Sequence, residues 1–199
     1  LKPQDVQPVL ERISDRVYEE SGIDFSVKPI LLKQKNFPLY TEGRIYYQGP
    51  RRAHNPTRIK LDLSASEKVV SQPIARTITH SYSDKLPEPA KVLCYSLEEV
   101  FAEKIRAMGE RGYPRDLYDI IFLFRNGPFK ENPELINSIL VSKCKSKNVP
   151  LPSNEIFKQP QLLNELKTEW GNMLGHQLPK LPNFEEFLDE LPELFNWLE

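Results

Sequence analysis

Between Tyr95 and Phe124 the chain reads YSLEEVFAEKIRAMGERGYPRDLYDIIFLF, two helical patterns joined by a tight Gly-Tyr-Pro link. No other stretch limits the fold so closely. Ser96 followed by Glu99 fits a capping box, and no proline interrupts 97–110, so a helix is predicted there. At about 100° per residue, Leu97, Val100, Phe101, Ala107 and Met108 gather around Lys104. Glu98, Glu99, Glu103, Arg106 and Glu110 fall on the opposite face. Lys104 is therefore expected in the middle of the apolar stripe, with Arg111 two turns further on. A cation in such a place is costly unless it meets an anion.

The second helix is predicted to start at Pro114, a residue suited to a first turn. From Leu117 onward its apolar residues surround the axis, so burial on most sides is expected. Asp116 and Asp119 are three apart and share a face. One helix thus offers cations and the next offers acids. On residue types alone, a structural ion-pair network and a catalytic cleft are both open, because the two share this signature.

A chain of 199 residues has ample length for a core, as one medium domain or two small ones. Its net charge of −1 supplies no general attraction to nucleic acid or membrane, so any such binding must come from a local patch. Cys94 and Cys144 are too few to staple the fold and read as reduced thiols. His54, His80 and His176 lack metal-ligand spacing. No apolar run approaches a membrane span, and no signal peptide is visible. A cytoplasmic location is expected.

Ahead of the helix pair, 4–21 reads as a helix with Gly22 as its stop, and 23–32 and 44–48 read as strands. The cleanest strand is 58–64, RIKLDLS. By period two, Ile59, Leu61 and Leu63 face one way, and Lys60, Asp62 and Ser64 the other. Asp62 is either a solvent-facing strand residue or a carboxylate turned toward a partner face. Arg51, Arg52, Arg58 and Lys60 form either a basic patch for nucleic acid or a solvated loop. Short strands are expected at 77–82 and 92–95. After Phe124 the chain reads as all-helical, with patches at 133–143, 161–173 and 183–198 between proline-containing breaks. The expected division is a mixed α/β domain over 1–126 and a helical region over 127–199.

Lys104-x-x-Ala107-x-x-x-Arg111 followed by Asp116-x-x-Asp119 resembles two motifs of the AbiEii-like nucleotidyltransferases, and IKLDL around Asp62 is similar to a third. These are toxins of bacterial abortive-infection and toxin–antitoxin systems, within the DNA polymerase beta-like nucleotidyltransferase superfamily. The flanking text, YSLEEVFAEKIRA and RDLYDIIFL, looks like that family too. The resemblance runs from about residue 23 to 124. It implies an α+β fold: a mixed sheet flanked by helices, followed by a helical C-terminal region. It also implies a Gly-Gly or Gly-Ser turn and an Asp-x-Asp strand. None of the eight glycines is followed by Gly or Ser, and no Asp-x-Asp occurs. The expectation is that an N-terminal segment carrying this motif was removed or was never present, and that the chain alone carries out no transfer.

The resemblance further implies an enzyme that moves a nucleotide from Mg2+-bound NTP to an RNA, for instance a tRNA, with a cognate antitoxin as partner and no membrane. The catalytic residues would be Asp62, Lys104, Asp116 and Asp119. Lys60, Lys104 and Arg111 would meet the nucleotide phosphates, and Asp62 would hold metal. The alternative is a non-catalytic, partner-binding module whose Lys–Asp network is structural.

Overall fold

The computed structural model describes residues 2–36, 39–49, 54–64, 66–81, 83, 88–128 and 131–199. Packing divides the chain into two compact units, Leu1–Glu67 and Lys68–Glu199.

The first unit opens with helix α1, Pro3–Ser21, which starts on a proline and ends at Gly22. There φ is 71°, and the Gly22 N–H bonds the Tyr18 carbonyl. Three antiparallel strands follow: β1 Leu31–Asn36, β2 Leu39–Tyr47 and β3 Thr57–Ser64, in the order β1-β2-β3. The strand expected at 23–32 begins only at Leu31. Asp24 instead folds back, its Oδ1 accepting from the Ser26 N–H at 2.7 Å, and an Asx turn competes with extension. Thr41 and Ile45 are buried on one face of the sheet. The register places Arg44 opposite Lys60 and Glu42 opposite Asp62 on the other.

The second unit begins with a two-stranded ladder, β4 Ile74–Thr77 paired antiparallel with β5 Lys91–Cys94. The strand expected at 77–82 therefore ends where it was to begin. Helices α2 Leu97–Arg111 and α3 Pro114–Asn126 follow. After them come α4 Pro133–Lys147, a 3-10 turn Asn154–Lys158, α5 Pro160–Leu174, α6 Phe184–Leu188 and α7 Leu191–Leu198. The single helix expected over 183–198 is broken in two. Pro192 has no N–H to give to the carbonyl of Leu188, so the chain re-nucleates with proline in the first turn.

The expected fold class is observed: a mixed α/β protein with small sheets and a helical C-terminal part. Phe101, Ile105, Leu117, Ile120, Ile136, Leu166 and Leu194 are fully buried in the core of the second unit. Rings close it, with Trp197 5.5 Å from Phe124 and 6.2 Å from Phe101. The Trp170 indole donates to the Pro182 carbonyl at 2.9 Å. Both cysteines are free thiols. Among the described residues no helix is long and apolar enough to cross a membrane.

Candidate functional site

Two helix ends position the site. Ser96 caps α2, its hydroxyl accepting from the Glu99 N–H at 3.1 Å. Gly112 ends α2 at φ 59°, with its N–H on the Met108 carbonyl. Pro114 starts α3 two residues later, so the last turn of α2 and the first of α3 sit side by side.

Four charged side chains meet across that junction. The Lys104 ammonium lies 2.6 Å from Asp119 Oδ2 and 3.7 Å from Asp116 Oδ1. Arg111 holds Asp116 with two bonds, Nε to Oδ2 at 2.7 Å and Nη2 to Oδ1 at 2.9 Å. Such fork-to-carboxylate bonding fixes orientation as well as charge. The Asp116 carboxylate is 1% exposed, whereas Lys104 is 33%, Asp119 37% and Arg111 49%. The acid is thus the buried centre, and the cations open outward. The hydrogen bond from Arg111 to Asp116 raises the guanidinium above its already high ordinary value. The same guanidinium lies over the Tyr113 ring, 5.1 Å from its centroid.

Lys104, Arg111, Asp116 and Asp119 are therefore brought together as expected from their spacing. Lys104, however, sits at the margin of the buried arc rather than in its middle. The arc runs through Phe101, Ile105 and Met108 and on to Ala102 and Arg106. The reason is α4, which packs on the α2 face read as polar. Burial of α3 is likewise one-sided: Phe122 is 48% exposed and stacks on Tyr118.

That packing creates a second cluster which residue types did not announce. Glu99 and Lys143 are 2.7 Å apart, with side chains 1% and 4% exposed. Glu99 also accepts from the N–H groups of Val70 (3.1 Å) and Ser71 (2.9 Å), and Lys143 donates to the Lys68 carbonyl at 3.0 Å. Arg106, 8% exposed, bonds Glu103 and Glu110. The capping box was the one available signal for Glu99; nothing in the sequence marked Lys143.

Asp62 and Lys60 lie in the first unit, on one face of β3. Asp62 is exposed and paired in register with Glu42. Glu42 in turn lies 2.8 Å from Arg44 and 3.7 Å from Lys35. Arg58 pairs in register with Tyr46, and Arg51 and Arg52 lie outside the described residues. Among the described residues, no three His, Cys, Asp or Glu side chains are placed to hold a metal ion. The Asp116 oxygens are already taken up by Arg111, with Lys104 at 3.7 Å. The described donor set therefore does not by itself fit a divalent cation.

Compared with known protein families, residues 3–190 match the model described as nucleotidyl transferase AbiEii toxin, Type IV TA system. No curated protein and no solved structure matches the chain.

Proposed function

The chain belongs to the AbiEii nucleotidyl transferase toxin family, and from that premise we propose that it transfers a nucleotide from an NTP to an RNA acceptor. A tRNA end is the acceptor we favour. A cognate antitoxin would restrain it, and the cytoplasm would supply both substrates. The observation that carries this reading is the half-open cluster on α2 and α3, which keeps an ammonium and a guanidinium at the surface around a buried acid.

In the reaction an acceptor hydroxyl oxygen bonds to the α-phosphorus, the bond to the bridging oxygen breaks, and pyrophosphate departs as the hydroxyl proton is released. Negative charge grows on the phosphate oxygens. Lys104 would meet it as a mobile point charge and Arg111 with the donors left over from Asp116. Asp116 and Asp119 would position these cations. Lys60, on β3, is kept as a separate candidate for a phosphate contact. Mg2+ is proposed as the companion of the NTP, with Asp62 its one candidate ligand here. No step is drawn through it, since the described residues do not complete a metal site.

The test is transfer of labelled nucleotide to total tRNA by the protein together with a Gly-Ser and Asp-x-Asp segment, since no transfer is expected of these 199 residues alone. Lys104→Ala should lower the rate by about 10²–10³-fold, the usual loss for a transition-state donor. Its thermal midpoint should stay close to that of the parent. A rate unchanged by this substitution would remove Lys104 from the reaction. A second reading, a non-catalytic partner-binding module, draws on the balance of two cations by two acids in the cluster. No thermal stabilisation by any Mg-NTP, with a large loss of stability in Lys104→Ala, would favour it.

A further inference from the structure

In the first unit, helix α1 and the segment 24–30 enclose a cleft of about 490 Å³. That is within the size range of small-ligand sites, about 300–1,000 Å³. We propose that this cleft binds a linear organic polycation, two or more ammonium groups on a methylene chain, with putrescine and spermidine as its simplest examples. The site belongs to the first unit alone and does not depend on the transferase reading above.

Three observations support it. First, a hydroxyl in the wall lacks a partner. Ser14 is 9% exposed and lines the cleft, and among the described residues nothing bonds its side chain. A buried hydroxyl is normally satisfied, in a helix often by the carbonyl four residues back. Among the described residues no side-chain oxygen is sealed away without a partner, so the Ser14 hydroxyl opens onto the cleft. It can accept from an ammonium group there.

Second, the walls are anionic. At about 100° per residue, Ser14, Glu11 and Asp15 share one arc of α1, and Asp24 comes from the facing segment. The Ser26 hydroxyl and N–H hold the Asp24 carboxyl below its ordinary value, so it is charged at neutral pH. These three acids meet one base in the lining, Lys28, whose ammonium lies over the Tyr46 ring at 5.2 Å from its centroid. A ligand with two positive charges balances the remainder.

Third, the negative charge is spread out. Among the described residues no three acids are placed to chelate one metal ion. Glu11 and Asp15 are one turn apart, about 6 Å of rise, comparable to the span of a four-carbon diamine. Phe25 and Ile30, both half-buried, offer apolar wall to the methylenes between the charges.

The test is calorimetry of the whole chain at low salt with putrescine, spermidine and butylamine, the last carrying a single ammonium. Putrescine and spermidine should bind saturably at one site, and butylamine about tenfold more weakly or worse, because it meets one carboxylate where the others meet two. Ser14→Ala should weaken spermidine about fivefold, the worth of one hydrogen bond, and Asp15→Asn by about as much or more. Glu155→Gln, at an exposed acid that does not line the cleft, should change nothing. Equal weakening by Asp15→Asn and Glu155→Gln would mean a diffuse counterion cloud and would overturn the site. Absence of saturable binding, or butylamine as tight as putrescine, would overturn it too. Asp15 is exposed, so its variant keeps the test decisive should Ser14→Ala fail to fold.

Discussion

Lys143 and Glu99 form an ion pair at 2.7 Å that solvent scarcely reaches. It joins α4 to α2, and through the Lys68 carbonyl and the Val70 and Ser71 amides it also fastens the segment that starts the second unit. Removing one member strands a charge. Lys143→Met should therefore cost about 3–5 kcal/mol in urea denaturation. The double change Glu99→Gln with Lys143→Met should cost less than the two single losses added together. Trypsin should cut after Lys68 faster in Lys143→Met, because that carbonyl loses its donor. Equal cutting in parent and variant would disprove the fastening.

The same pair sets a response to acid. Burial pushes the Glu99 carboxyl up, but hydrogen bonds from Lys143, Ser71 and Val70 outweigh it and hold the group below its ordinary 4.5. Glu103 is lowered too, burial again being outweighed by Arg106 and Lys143. Because the folded values lie below the unfolded ones, their stabilisation is complete above about pH 4.5 and fades as pH falls through the lowered values. Tm measured against pH should drop on that limb, and Glu99→Gln should flatten it. On the alkaline side Lys143, raised above 10.5 despite its burial, keeps its contribution until pH passes that value.

Asp116 and Asp119 should separate on mutation. Asp116 is buried with two bonds from Arg111, so Asp116→Ala should cost about 1–3 kcal/mol and lower Tm. Asp119 is 37% exposed and engages only the ammonium among the contacts described, so Asp119→Ala should lie within about 1 kcal/mol of the parent. Comparable destabilisation by both would mean that burial does not rank them. Transfer assays should show both impaired.

Two glycines frame the α2 end and should respond differently. A Cβ on Gly109 would come 2.8 Å from Pro152 Cβ and closer still to its Cγ, and a proline ring yields little. Gly109→Ala should destabilise by about 1–3 kcal/mol, despite the roughly 1 kcal/mol helix preference for alanine. At Gly112 the added atom meets only the flexible tip of Leu162, but φ of 59° costs an alanine about 1–2 kcal/mol. Thermal unfolding of both variants checks the pair.

The helix pair was legible because its signals are local. A capping serine, a first-turn proline and charges at helical spacing need no knowledge of the rest of the chain. Lys104, Arg111, Asp116 and Asp119 met where that spacing placed them. Glu99 and Arg106 were misread as an outer face because a helical wheel records which residues share a side, not what lies against it. That depends on α4, some forty residues away in sequence. The strand at 31–36 was placed too early for a related reason. Apolar residues before Leu31 suggested extension, while the Asp24 side chain competed locally for the backbone.

Asp116 is held unequally by its two cations: the guanidinium grips it from two directions, while the ammonium stands off and leans on Asp119. Withdrawing Arg111 would leave an anion sealed from water, but Lys104 can swing away and leave Asp119 to be hydrated. A visiting phosphate would thus be greeted by one fixed arm and one free arm, and only the free arm would need to let go of anything first.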